Sequence, residues 1–362
     1  MVEKLIELAI EIQQIPAPTF GETERGEFVR AKFAEQRLAG ISQDKLGNIY
    51  ARLPGKGGTA PLVIVAHLDT VFPLEANLDI RHEQGRIYGP GLGDNSLGVA
   101  ALFGLVQLIR ERKLDLGGDL WLVADVGEEG LGDLRGMRAV VERFGDPVLG
   151  YLILEGMALG HIYHRAVGVR RYHVTARTSG GHSWSDYGQP SAVHELARLV
   201  TQLAAIHPPV QPRTTLNVGV IGGGTTVNTL AAEAWFELDL RSEEPHALSL
   251  LAGEVENLIA AANGPGVSME FRITSQRPAG ELSPNHRFVR LALESLHEQG
   301  IDGILTTGST DANIPLGRGI PAVVLGVTSG GGAHSQNEFI HTAPIEQGME
   351  QIFHFVSKAW EG

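Results

Sequence analysis

The sequence predicts an α/β protein with a mostly parallel sheet, helices on both of its faces, and a smaller domain inserted into the chain. Short apolar runs such as residues 62–66 are typical of strands buried on both faces. Helical segments alternate with these runs, and this order favours parallel pairing. A stretch of alternating polar and apolar residues then interrupts the pattern, which resumes after Arg277-Pro278.

The larger domain is expected to comprise residues 1–165 and 276–362. Its helices are predicted at residues 3–14, 22–38, 96–112, 285–299 and 344–360, and its strands at 46–53, 62–66, 119–126, 150–156 and 321–327. Pro16 and Pro18 separate the first two helices, because proline interrupts the helical hydrogen-bond pattern.

The inserted domain is expected to span residues 166–275, a size typical of a domain. Its predicted elements are strands at 165–177, 214–221, 231–241 and 267–274, and helices at 190–206 and 244–262. Within 231–241, apolar residues alternate with Glu233, Trp235, Glu237, Asp239 and Arg241, so one face of the sheet should be largely polar. The order β-α-β-β-α-β is that of a ferredoxin-like unit.

Composition argues against several classes of protein. The chain has 42 acidic and 29 basic side chains among 362 residues, a formal charge of −13 that disfavours binding to nucleic acid or anionic membranes. The absence of cysteine excludes disulfides and thiolate metal sites. The N-terminus lacks the features of a signal peptide, and the sequence has no uninterrupted apolar stretch of about 18 residues. These features predict a soluble cytoplasmic protein.

Acidic and imidazole side chains follow successive strands at one edge of the predicted sheet. The candidate ligands are His67, Asp69, Asp94, Glu128, Glu129, Glu155 and His334. A single aspartate at a strand end is more often a turn or helix cap. Repetition at one edge, where open α/β sheets place their ligands, instead favours a site for zinc, manganese or cobalt.

Glu128 and Glu129 are adjacent and need different roles. In an extended segment their side chains point to opposite sides, so both cannot easily bind one ion. One would bind metal, and the other could take a proton from the attacking water as general base. The alternative is that both are solvated carboxylates in a loop.

Five segments resemble the M20 metallopeptidases and occur in that family's order. They are HLDT at 67–70, GDN at 93–95, EEG at 128–130, LEG at 154–156 and AHSQNEF at 333–339. The resemblance covers essentially the whole chain and is nearest to peptidase T-like and succinyl-diaminopimelate desuccinylase-like members. It implies a zinc-exopeptidase-like fold with two divalent ions, namely zinc, with cobalt or manganese as substitutes.

The same resemblance implies how the two ions share their ligands. The first ion would be bound by His67, Asp94 and Glu155, and the second by Asp94, Glu129 and His334. Asp94 would bridge the two, and a cis peptide bond would follow it.

The resemblance also implies roles for two carboxylates that bind neither ion. Asp69 would orient the ring of His67. Glu128 would be the general base.

The inserted domain carries a further motif, GGHSW at 180–184, that resembles the family's lid histidine. The resemblance implies that His182 stabilises the tetrahedral oxyanion, often from the partner subunit of a homodimer formed through the lid. Without the resemblance, a loop histidine that caps a helix is the simpler interpretation. The substrate would be held by Asn217, Asn228 and Arg241, with Thr310, Asp311 and Gly330–Gly332 lining the pocket. For Arg241 a surface salt bridge is an equal alternative.

The sequence therefore predicts an enzyme that hydrolyses an amide bond of a small peptide, of the aminopeptidase or di/tripeptidase type. An N-acyl amino acid deacylase or desuccinylase is the first alternative, and the motifs do not separate the two. A catalytically silent binding protein is the second, although every ligand and the base are present. A serine hydrolase or Rossmann dehydrogenase would need G-x-S-x-G or G-x-G-x-x-G, and the sequence has neither.

Overall fold

The computed structural model describes residues 1–361. The helices are α1 (Val2–Gln13), α2 (Thr23–Glu35), α3 (Leu97–Glu111), α4 (Arg135–Phe144), α5 (Ala192–Ala204), α6 (Pro245–Ala261), α7 (Arg287–His297), α8 (Asn313–Gly317) and α9 (Ile345–Lys358). The strands of the first half are β1 (Ala39–Gln43), β2 (Ile49–Leu53), β3 (Leu62–His67), β4 (Arg81–Glu83), β5 (Arg86–Tyr88), β6 (Leu120–Asp125), β7 (Gly150–Glu155), β8 (His161–Ala166), β9 (Gly168–Thr178) and β10 (Gly181–His182). The remaining strands are β11 (Thr214–Gly223), β12 (Thr229–Leu230), β13 (Glu233–Ser242), β14 (Val267–Arg277), β15 (Gly280–Glu281), β16 (Ile304–Gly308), β17 (Ala322–Gly326), β18 (Gly330–Gly331) and β19 (Phe339–His341).

The chain divides into two compact units. The large domain consists of Met1–Ala166 together with the residues from Glu281 onward, and the inserted domain is Val167–Gly280. Strand β14 continues to Arg277, past the limit at residue 275 that the sequence suggested, because its ladder with β9 extends to Val169.

A central sheet organises the large domain, with strand order β1-β2-β6-β3-β7-β17-β8-β15 and β16 beside β8. The strands at its centre, β6, β3, β7 and β17, are parallel to one another. Strands β1 and β2 pair antiparallel at one edge. The predicted α/β class with a mostly parallel sheet is confirmed.

Strand β3 shows why the buried strands of this sheet are almost continuously apolar in sequence. All six of its residues are buried. Leu62, Ile64 and Ala66 pack into the cluster on one face of the sheet, whereas Val63 and Val65 pack into the cluster on the other. Helices on both faces therefore require apolar side chains at every position of the strand.

Residues 92–111, which include α3, form a helical segment long and apolar enough to cross a membrane by length and composition. Its mean hydropathy is 1.4, and 89% of the apolar window is buried inside the structure. Core helices of globular proteins have the same properties, and α3 contributes residues such as Leu102 and Leu105 to the core of the large domain. The segment is thus accounted for as a core helix.

The inserted domain has its own sheet, with strand order β11-β13-β9-β14 and antiparallel pairing throughout. Helices α5 and α6 cover one face, where Phe236, Leu238 and Leu240 of β13 are buried. Ion pairs occupy the other face, among them Arg171 with Asp239. A short ladder between β10 and β12 lies outside this sheet and pairs His182 with Thr229.

Candidate metal centre

Three parallel strands bring the first candidate residues together. Strand β3 ends at His67, lies between β6 and β7, and is parallel to both. Strand β7 ends at Glu155, and the segment after β6 carries Glu128 and Glu129. Because the carboxyl ends of parallel strands meet at one edge, residues far apart in the sequence converge there.

Asp94 reaches this edge from a distorted turn that leads into α3. The turn spans Leu92–Ser96, and Asp94 and Asn95 both have non-helical backbone angles within it. The peptide bond between them is cis, as the resemblance implied. The buried side chain of Asn95 donates to Leu154 O (2.8 Å) and accepts from Gly156 N (3.0 Å), which ties the turn to the end of β7.

The first group of potential ligands is His67, Asp94 and Glu155. His67 Nε2 lies 3.2 Å from Asp94 Oδ1 and 3.8 Å from Glu155 Oε2. Ligand atoms about 2.1 Å from a tetrahedral zinc ion lie about 3.4 Å from one another. The three side chains are therefore spaced as ligands of one ion.

The second group is Asp94, Glu129 and His334. His334 Nε2 lies 3.2 Å from Asp94 Oδ2 and 3.1 Å from Glu129 Oε1. Asp94 thus presents one carboxylate oxygen to each group, which is the arrangement of a bridging ligand. Imidazole and carboxylate donors without thiolate suit zinc, cobalt or manganese.

Asp69 is fully buried and bonds to one residue of each ligand group, His67 and Glu129. Its carboxylate accepts from Glu128 N and Glu129 N, each at 3.0 Å, and from Thr19 Oγ1 at 2.9 Å. His67 Nδ1 lies 3.0 Å from the main-chain carbonyl of Asp69 and 3.6 Å from its Oδ1.

This geometry sharpens the role expected for Asp69. The nearer acceptor for His67 Nδ1–H is the carbonyl of Asp69, and in the neutral ring this bond leaves Nε2, which faces Asp94 and Glu155, available to bind a metal ion. The carboxylate of Asp69 meanwhile holds the backbone of the segment that carries Glu128 and Glu129.

Glu128 belongs to neither ligand group among the residues that the structure describes. It is 6% exposed, and its backbone is fixed beside that of Glu129 by Asp69. A buried carboxylate next to a ligand is compatible with the general base that the resemblance implied.

The electrostatics of the centre reflect an excess of carboxylates. Burial opposes protonation of His67, but hydrogen bonds to Asp69, Asp94 and Glu155 outweigh it and raise the pKa of His67 well above its usual value. Hydrogen bonds to Asp94 and Glu129 raise the pKa of His334 to about 10. Burial favours the neutral form of Asp94, but hydrogen bonds from His334 and His67 lower its pKa below the ordinary range. The carboxylates attract positive charge, which protons or divalent ions can supply.

The inserted domain carries four candidate site residues. Two of them lie near the short ladder of β10 and β12, and two lie on the four-stranded sheet. His182 is exposed, and its Nδ1 accepts from Trp184 N at 3.2 Å. Asn228 directly precedes the paired residues of β12, and its carbonyl accepts from Ser183 N at 2.9 Å. Asn217 and Arg241 lie on β11 and β13.

Arg241 is ion-paired within its own strand. Its Nε donates to Asp239 Oδ2 at 2.7 Å, and its side chain is 44% exposed. Asn217 faces Asp239 across the ladder. Both residues therefore belong to the polar side of the sheet.

Thr310 and Asp311 lie in the segment between β16 and α8. Thr310 is half-buried and caps this segment by accepting from Ala312 N. Asp311 is fully buried, where it presents no surface to a substrate. Burial and the carboxylates of Asp125 and Glu128 raise the pKa of Asp311 well above its usual value. Gly330 and Gly331 form β18, which pairs with β19.

Several residues support the centre in roles that the sequence does not indicate. Arg25 on α2 is 2% exposed and donates to Leu68 O (2.7 Å), between His67 and Asp69. Thr19 bonds to Asp69, and Asn95 bonds to the backbone on either side of Glu155. Their partners are mostly main-chain groups, which no residue pattern reveals.

A sequence profile of the peptidase family M20/M25/M40 matches residues 63–358, which include every residue of both ligand groups. The chain belongs to this family. The M20 protein is accordingly a metal-dependent hydrolase of the peptidase and amidohydrolase type.

Known proteins resemble this M20 protein along nearly its whole length. The succinyl-diaminopimelate desuccinylase of Corynebacterium glutamicum is 24% identical, with 94% of this chain and 92% of that protein aligned. A tripeptidase from Staphylococcus aureus superposes with a TM-score of 0.84 at 22% identity, covering 99% and 98% of the two chains. The aminopeptidase PepT from Bacillus cereus gives a TM-score of 0.81 at 22% identity, covering 99% of each chain. These structures share the fold of the M20 protein.

Proposed function

We propose that this M20 protein hydrolyses an amide bond of a small peptide, as an aminopeptidase or a di- or tripeptidase. The observation that carries the proposal is the pair of ligand groups that share Asp94, with Glu128 beside them and in neither group. A tripeptidase and an aminopeptidase among proteins of the same fold support the peptide as substrate.

The ligand groups fit two divalent ions, for which we propose zinc, with cobalt or manganese able to replace it. His67, Asp94 and Glu155 would hold one ion, and Asp94, Glu129 and His334 the other. Such ions act as Lewis acids that polarise the substrate carbonyl and lower the pKa of water.

Glu128 is assigned the proton transfers. Its carboxylate accepts a proton from the attacking water while the water oxygen forms a bond to the amide carbon. The same proton then passes to the leaving amine as the carbon–nitrogen bond breaks. Asp69 supports both steps, because it fixes the backbone of Glu128 and the orientation of the His67 ring.

His182 is assigned the oxyanion. Because its Nδ1 accepts from a backbone N–H, the neutral ring carries its proton on Nε2 and can donate from there. A donor aimed at the developing negative charge stabilises the tetrahedral intermediate. We propose that His182 acts in the site of a partner subunit, within a homodimer formed through the inserted domain.

The remaining assignments complete the proposal. Asn217, Asn228 and Arg241 would hold the carboxylate or backbone of the substrate, with Thr310 beside the site. An acidic, cysteine-free chain suits the cytoplasm, which we propose as its location.

An N-acyl amino acid deacylase or desuccinylase is the second candidate. The same residues would act on a non-peptide amide, and the desuccinylase from Corynebacterium glutamicum, 24% identical over nearly the whole chain, favours it.

A substrate panel separates these candidates. Di- and tripeptides, acetyl-amino acids and succinyl-amino acids would each be assayed with Zn²⁺, Co²⁺ and Mn²⁺. We expect the highest kcat/KM with a di- or tripeptide. Preference for a succinylated or acetylated amino acid would replace the peptidase assignment with the deacylase, and inactivity on every amide despite bound metal would favour a binding protein.

A further inference from the structure

A buried carboxylate outside both ligand groups holds the turn that carries Asp94. Glu338 has no exposed surface, and its Oε1 accepts from Gly93 N at 2.8 Å and from Asp94 N at 3.0 Å. Its Oε2 accepts from Gly91 N at 3.1 Å. A single side chain thus binds three backbone N–H groups of the turn that presents the bridging ligand.

The backbone of Glu338 belongs to the segment that presents His334. Glu338 N donates to Ser335 O at 3.1 Å, and Ser335 N donates to Gly332 O at 3.0 Å, which closes the loop around His334. Gly89 N donates to Glu338 O at 2.9 Å. The loop of His334 and the turn of Asp94 are therefore joined through Glu338 by both its side chain and its main chain.

Glu338 and Asn95 fix the Asp94 turn on opposite sides. Asn95 ties it to the end of β7, where Glu155 completes the first ligand group. Glu338 ties it to the loop of His334, which completes the second group. Because Asp94 has to present one oxygen to each group, its position must be fixed relative to both Glu155 and His334.

We propose that Glu338 is a positioning residue that sets the spacing between Asp94 and His334 and thereby forms the second ion site. Its side chain binds the backbone N–H groups of Gly91, Gly93 and Asp94, so it fixes the turn itself, whereas His334 contacts only the carboxylate that the turn presents. Loss of these bonds frees Asp94 relative to His334 while the bonds of Asn95 hold it near His67. The inference rests on the two-ion centre of the proposed function.

The test compares Glu338→Ala and Glu338→Gln with the wild type. Metal content after equilibrium dialysis against graded Zn²⁺ gives the affinity of each site, and the visible spectrum of the Co²⁺-substituted protein reports the ligand geometry. Loss of groups that orient metal ligands typically weakens metal binding by about 10- to 100-fold. For Glu338→Ala we expect this loss in the second site only, an altered Co²⁺ spectrum, and activity that recovers at high metal concentration.

Glu338→Gln is the conservative variant. Its amide oxygen can still accept two of the three N–H bonds, whereas its NH₂ group faces the remaining donor. We therefore expect a weaker second site than in the wild type but a stronger one than in Glu338→Ala. If Glu338→Ala does not fold, the change in second-site affinity of Glu338→Gln decides the question.

Leu296→Ala is the matched control, because Leu296 is a buried core residue of α7 outside the centre. It should lower stability and leave both metal affinities unchanged. Equal loss of both ions in Glu338→Ala, or two ions bound with wild-type affinity and an unchanged Co²⁺ spectrum, would overturn the role of Glu338. A wild-type protein that binds fewer than two ions would instead overturn the proposed function, and this inference with it.

Discussion

The metal centre of the large domain and the candidate residues of the inserted domain are built in opposite ways. In the centre, Asp69 is fully buried and His67 is 2% exposed, and backbone groups from distant segments fix them. In the inserted domain, His182 and Asn228 are exposed, and their described bonds are with residues of their own ladder and loops. Trp184, two residues from His182, is 88% exposed.

This difference shows which candidate residues are held in place by buried contacts of their own domain and which are not. The ligands keep their spacing because the sheet and the buried hydrogen bonds determine it. The residues of the inserted domain lack such supports, and the role proposed for His182 requires contact with a partner subunit. The following experiments test that contrast, in order of decreasing effect.

Removal of metal should abolish activity. The carboxylates of the centre crowd together and need positive charge, while the fold of the large domain depends on its core. We expect chelation to eliminate hydrolysis with little change in circular dichroism, and Zn²⁺ or Co²⁺ to restore it. Full activity in protein shown by elemental analysis to contain no metal would refute the metal centre.

Replacement of glutamate by glutamine should separate the roles of Glu128 and Glu129. Glu128→Gln should lower kcat by about 10²- to 10⁴-fold, the usual contribution of a general base, and keep both ions. Glu129→Gln is the matched variant and should weaken the second ion, because Glu129 Oε1 faces His334. Metal titration and steady-state kinetics check both, and the opposite pattern would exchange the two roles.

Truncation of the lid histidine should slow the reaction without affecting the metals. His182→Ala should lower kcat by about 10²- to 10³-fold, the usual cost of one oxyanion donor. If His182 serves the partner's site, mixing His182→Ala with Glu128→Gln subunits should restore part of the activity, because one site of each hybrid dimer has both groups.

Two outcomes would contradict that arrangement. Subunits that exchange, as shown by differently tagged chains, but recover no activity would place His182 in its own subunit or outside the reaction. A wild-type protein that is monomeric and fully active at the assay concentration would exclude the partner's contribution.

Loss of the hydrogen bond between Thr19 and Asp69 should have the smallest effect. Thr19→Val keeps the size of the side chain but removes its bond to Asp69, while Glu128 N and Glu129 N still bind that carboxylate. We expect about 1–2 kcal/mol lower stability and less than about a tenfold loss of kcat/KM. Thr59→Val is the control, because Thr59 Oγ1 donates to Gly117 O at a site away from the ligands. Equal effects of the two variants on kcat/KM would show that Thr19 gives no specific support.

The sequence predicts the central sheet well because β3, β6 and β7 are apolar along their length. It misses β1, β8 and β16, whose mixed polar and apolar residues leave little pattern to recognise. The helix predicted at residues 22–38 ends at Glu35, and the chain turns at Arg37, which has positive φ, before β1.

The ligands are recognisable because their chemistry is unusual at the ends of apolar strands. The positioning roles of Asn95, Arg25 and Glu338 are not recognisable, although Asn95 and Glu338 lie within quoted motifs, because these residues act through main-chain groups that only the fold brings close. The closest acceptor for His67 is likewise a carbonyl rather than the carboxylate that the resemblance suggested. The burial of Asp311 depends on tertiary packing and has no local signature.

The sheet of the large domain also shows why a whole domain can be inserted at this point of the chain. Strand β8, from which the chain leaves this domain, lies beside β15, through which it returns, and Leu282 N donates to His164 O at 2.8 Å. The points at which the chain leaves and re-enters the large domain are therefore adjacent in the sheet. Replacement of the segment Val167–Gly280 would therefore leave the strand order of the large domain unchanged.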